Sequence, residues 1–108
     1  MAGSIIAAGV AGAAAVLALG LTAAGGAAVE SQRIAAVADA AALAAADAAS
    51  GAVAGEPCAR ATEVAGAQRA SVTLCALDGL VATVTVGARY AGLPVSATAR
   101  AGPPPVSW

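Results

Sequence analysis

Along this chain the hydrophobic pattern changes character twice. From Met1 to Val29 no side chain ionises; the first that does is Glu30, and every other charge follows it. A helix rising ~1.5 Å per residue over that stretch crosses a hydrocarbon layer ~30 Å thick, which predicts a membrane helix over Ser4–Ala28. From Glu30 the pattern stays helical but becomes one-sided. At ~100° per residue, Ile34, Val37, Ala41, Ala45 and Ala48 share a face, with Gln32, Asp39, Asp47 and Ser50 opposite and Leu43 the one large apolar residue among them. Alanine is the best helix former and no proline precedes Pro57, so one long helix is expected, continuous or gently bent at Gly25-Gly26.

The stretch "SGAVAGEPC" then breaks the helix, and Pro57 suits a first helical position, which predicts a second, short helix to about Arg69. The next change is to period two. Ser71–Ala76 and Leu80–Val86 are β-rich runs around Asp78-Gly79, a hairpin signal, and residues 95–102 form a candidate third strand after a Gly92-Leu93-Pro94 turn. The expected fold is α+β: a long N-terminal helix, a small helix and a two- to three-stranded antiparallel sheet. The divisions are a membrane helix over 1–29, an alanine-rich helical stalk over 30–50 and a turn over 51–56. A small head over 57–102 and a flexible tail over 103–108 complete the chain.

Composition narrows what such a chain can do. It is 60% hydrophobic but only 2% aromatic, so its apolar content is almost entirely alanine, valine and leucine and a large aromatic core is excluded. Five arginines and six acids give a net charge of -1, with no lysine and no histidine. Without a basic cluster, and with only Tyr90 and Trp108 to stack on bases, nucleic-acid binding is not expected. The missing histidine and lysine also remove the Ser-His triad, the Schiff-base amine and the Walker lysine. Asp39 and Asp47 share a helix face but lie ~12 Å apart along its axis, too far for paired-carboxylate chemistry. The expectation is a non-enzymatic protein without a cofactor.

Cys58 and Cys75 form the sharpest local constellation. A helix from Cys58 to Arg69 advances ~16 Å and a strand returning from Ser71 to Cys75 covers ~13 Å, which brings the two sulfurs to one level, where they can bridge. The alternatives are two free thiols in a reducing compartment, or a metal site, for which two cysteines without histidine leave zinc short of ligands.

The uncharged segment is weakly apolar for a membrane span. Ile5, Ile6, Val10, Val16, Leu17, Leu19 and Leu21 together supply about −3 kcal/mol of insertion energy. Small residues at four-residue spacing, Ala8/Gly12, Gly9/Ala13 and Gly20/Ala24/Ala28, make faces that another helix can approach closely. Gly9, Gly12, Ala13, Gly20 and Ala24, followed by Ile34, Val37, Ala41 and Ala45, are therefore the candidate helix-packing residues. A cleaved signal peptide would end in similar small residues but normally begins with basic ones, and no basic side chain precedes Arg33.

Taken in order, "GSIIAAGVAGAAAVLALGL", "ADAAALAAADAA", "PCARATEVAGAQRASVTLC" and "VTVGARYAGLPVSATARAGP" resemble the actinobacterial TadE-like proteins encoded with Tad/Flp pilus and secretion-neighbourhood genes. The resemblance covers nearly the whole chain. It implies a minor pilin or pseudopilin, anchored in the cell membrane by a single pass before assembly, with an extracytoplasmic C-terminal domain. Its implied partners are other pilins, pilus-assembly membrane proteins and membrane lipid. Ser4–Leu21 lacks the glutamate that major-type pilins carry near their processing site, which points to a capping, priming or decorating role. Two other function classes fit the residues: a single-pass membrane accessory or holin-like protein, and a secreted, disulfide-stabilised binding module.

Overall fold

The computed structural model describes residues 1–105; the last three positions of the expected tail, 106–108, lie outside the described residues. One helix, α1, runs from Ala2 to Ala49 and passes through Gly25-Gly26 without a break. It ends where Gly51 takes φ +82°, the left-handed conformation that closes helices, while Ser50 Oγ donates to the Asp47 carbonyl at 3.1 Å. The second helix, α2, spans Pro57–Ala67. Its N-cap is Glu56, whose carboxylate accepts from the Cys58 and Ala59 amides at 3.0 and 2.7 Å, and Pro57 occupies the first turn, where its missing N–H costs nothing.

Three strands complete the fold: β1 over Ser71–Asp78, β2 over Val81–Tyr90 and β3 over Leu93–Ala101, an antiparallel sheet in the order β1-β2-β3. Asp78 pairs with Val81, so the first hairpin turns on Gly79-Leu80 rather than on Asp78-Gly79: Asp78 ends β1, Leu80 lies outside β2, and Gly79 takes φ +59°. The second turns on Ala91-Gly92 between the paired Tyr90 and Leu93, rather than on Gly92-Leu93-Pro94, and Leu93 and Pro94 belong to β3. Both loop residues have positive φ, +50° and +80°, as a type I′ turn requires. A shift of register between Val72 and Leu74 interrupts the β1–β2 ladder.

Alternate residues of β2, Ala82, Val84 and Val86, point inward onto the second half of α1, which also packs against β3 and α2. The alanine face of α1 thus meets a helix and a sheet of its own chain. Ile34, Val37, Ala38, Ala41, Ala42, Ala45 and Ala46 are buried there, together with Ala61 and Ala65 of α2. The stalk over 30–50 and the head over 57–102 share one core, so they form a single packed body. That core is built of small side chains; the largest fully buried ones are Ile34, Val84 and Val86. Small groups let the α1 backbone lie close to the sheet, and among the described residues no polar or charged side chain is buried.

Candidate functional site

The two halves of α1 differ completely in their surroundings. From Ala2 to Gly25 every residue is exposed, including Ile5, Ile6, Val10, Val16, Leu17, Leu19 and Leu21. Among the described residues this is the one helix long and apolar enough to cross a membrane. Gly9, Gly12, Ala13, Gly20 and Ala24 all lie on this bare half, and a Cβ added at Gly9, Gly12 or Gly20 would meet no atom within 4 Å. Ile34, Val37, Ala41 and Ala45 lie on the packed half and are occupied by the chain itself. The candidate packing residues therefore separate into five that are free to contact another molecule and four that hold the fold together.

Cys58, at the start of α2, and Cys75, on β1, are joined in a disulfide, with Cα atoms 5.9 Å apart. The bond ties α2 to an edge strand that has a ladder partner on one side only. Among the described residues no free cysteine remains. Asp39 is exposed, and Asp47 is half-buried beside Leu80 and Gly102.

Where the bare half of α1 meets the head, a further group of residues converges that sequence patterns did not single out. Arg33 binds Glu30 in a fork, Nε to Oε2 at 3.0 Å and Nη2 to Oε1 at 2.8 Å, and its remaining Nη1 donates to the Gln68 carbonyl at the end of α2 at 2.7 Å. The Arg33 hydrogen bond holds the Glu30 carboxyl below the usual glutamate range; partial burial opposes this and the guanidinium charge adds to it. The Arg33 guanidinium is correspondingly raised. An open cleft of about 520 Å³ lies beside this pair, lined by Glu30, Arg33, Gln68, Arg69, Arg89 and Tyr90. Arg69 follows α2 in a left-handed conformation, φ +59°, and Arg89 donates from Nη1 to the Gly92 carbonyl at 3.0 Å. Tyr90 reaches below Glu30 along α1, where its hydroxyl occupies the space that a side chain at Gly26 would need.

The i, i+3 spacing of Glu30 and Arg33 is a readable signal for their pairing. Arg69 stands in the connection from α2 to β1 and Arg89 near the end of β2, and nothing in their spacing announces that the fold unites them. No protein family, curated protein or solved structure matches the chain.

Proposed function

We propose that this chain is a structural subunit of the minor-pilin or pseudopilin kind, serving a Tad/Flp-type pilus or a related secretion apparatus. It is held in the membrane by the first half of α1 and joins other subunits through that half. The observation carrying this reading is the division of one 48-residue helix into a bare apolar half and a half packed on a sheet. A span that remained in lipid would gain from more leucine, whereas a helix that must leave lipid for a helical core needs moderate apolarity and small close-packing faces. Gly9, Gly12, Ala13, Gly20 and Ala24 meet that second demand. The Cys58–Cys75 disulfide favours an extracytoplasmic head, since such bonds persist in oxidising compartments.

The deciding experiment deletes the gene and fractionates cells into membrane, sheared surface filaments and medium, with mass spectrometry of this chain in each. Loss or alteration of piliation on deletion, with the chain in sheared filaments, is the expected result. Unchanged piliation, with the chain confined to membranes and never co-purifying with pilus components, would replace this reading by that of a membrane accessory. Recovery of the intact head in the medium alone would favour a secreted module.

A further inference from the structure

We propose that the membrane-proximal end of the head is a lipid-docking surface, in which Arg69 and Arg89 engage the phosphates of anionic phospholipids and the Tyr90–Leu93 hairpin tip enters the interface. The proposal rests on the membrane reading of α1. Its first ground is position: Tyr90 lies against Gly26, inside the uncharged segment, so a bilayer spanned by 4–28 brings its headgroup layer to the level of the hairpin tip.

The second ground is charge. Glu30, Arg33, Arg69 and Arg89 together carry +2, while the five acids and two arginines elsewhere carry −3. Glu30 and Arg33 neutralise each other. Among the described residues Arg69 makes no side-chain hydrogen bond or salt bridge, and Arg89 donates to a single carbonyl, which leaves both cations turned to the cleft. A chain that is acidic overall thus concentrates its available positive charge where a negatively charged leaflet would be.

The third ground is the hairpin tip. Type I′ turns favour Asn-Gly or Asp-Gly because both central residues need positive φ. Here the first central residue is Ala91, at φ +50°, a conformation that opposes its Cβ. The tip Tyr90-Ala91-Gly92-Leu93 carries no polar side-chain group other than the tyrosine hydroxyl, and Leu93 is 67% exposed. In water this is an unfavourable choice at both positions; at a lipid interface it supplies an apolar wedge with an amphipathic ring above it.

The test uses the full chain, reconstituted in vesicles of phosphatidylcholine alone or mixed with phosphatidylglycerol, with Leu93→Trp as reporter in a Trp108→Phe background. Tip docking is read as blue-shifted emission quenched by lipids brominated near the headgroup, and insertion of α1 separately as resistance to alkaline extraction. Expected is stronger quenching in anionic vesicles, weakened by salt, and a docked-to-free ratio that falls roughly five-fold for each of Arg69→Gln and Arg89→Gln while extraction resistance is unchanged. A chain that resists extraction but whose reporter emits as in water, or whose quenching ignores lipid charge and both arginines, overturns the docking surface and leaves the span intact. A chain that washes off at alkaline pH overturns the membrane reading itself. Undocking by inorganic phosphate beyond that caused by chloride at equal ionic strength would assign the arginines to a soluble anion and overturn the lipid assignment.

Discussion

A methyl group at position 102 would press on atoms that cannot step aside. A Cβ there lies 2.9 Å from Val81 Cγ2, 3.1 Å from the Leu80 carbonyl oxygen and 3.1 Å from Val81 Cα, and the last two belong to the backbone of a hairpin. Gly102→Ala should therefore lower stability by about 1–3 kcal/mol. At Gly87 the nearest atoms are 3.6 and 3.7 Å away, an ordinary contact, so Gly87→Ala should stay within about 1 kcal/mol of wild type. Urea midpoints of the two variants, with the disulfide intact, make the comparison. At Glu30 the relevant variable is pH. Its folded carboxyl titrates below the ordinary value, so the charged form is favoured by folding. The stabilisation is fully present above the unfolded value of about 4.3 and is lost as pH falls through the lower folded value. The urea midpoint should thus fall more steeply below about pH 4.3 in wild type than in Glu30→Gln; parallel curves would mean that the Arg33 pairing contributes nothing to folding.

At the scale of elements, the alanine face of α1 is where pattern and outcome meet. The 3.6-residue period correctly placed Ile34, Val37, Ala41 and Ala45 on one side, and the β-branched runs located the strands. What the face would touch was not legible, because an alanine stripe packs equally well on a helix or a sheet. The second turn was misplaced for a related reason: the strongest turn formers nearby are Gly92 and Pro94, whereas the turn begins at Ala91, a residue whose type gives no hint of positive φ. The cleft was invisible because the Arg33–Gln68 contact spans 35 residues. Since Ala41 is fully buried against its own chain, Ala41→Leu should destabilise the isolated subunit by about 1–3 kcal/mol, before any assembly, while exposed Asp39→Asn should change it by less than about 0.5 kcal/mol. Thermal unfolding of monomeric protein separates these. The disulfide acts between elements too. It closes a separation of 17 residues between α2 and edge strand β1, so the Cys58→Ser, Cys75→Ser double variant should lose about 3 kcal/mol, with hydrogen exchange accelerating first in those two elements.

The whole molecule is a rod with a body at one end. It measures 75 × 35 × 17 Å, and its radius of gyration of 21.3 Å far exceeds the ~13 Å of a compact chain of about 100 residues. The excess length is the bare half of α1, which adds nothing to the core: among the described residues every buried hydrophobic one lies between Ile34 and Ala99. The packed half of α1 therefore carries the core, and the bare half is left free for the attachment proposed above. The body should fold without the rod. A chain beginning at Glu30 retains Glu30–Arg33, the packed face of α1, the sheet and the disulfide, and it discards eight exposed large side chains from Ile5 to Val29. Removing this exposed apolar surface should leave a water-soluble monomer with little loss of head stability, whereas the full chain should need detergent to stay monomeric. Truncation forfeits the contact of Tyr90 with Gly26 and the helical hydrogen bonds that cross the junction, so amide chemical shifts should change around the hairpin tip and in the new first turn of α1 and remain fixed in β1 and in the buried turns of α1. Size exclusion in water and comparison of the truncated chain with the full chain in micelles would measure both effects. If the truncated chain were molten or aggregated, the first half of α1 would be stabilising the body through contacts absent from this fold, and the separation of roles along the helix would have to be abandoned.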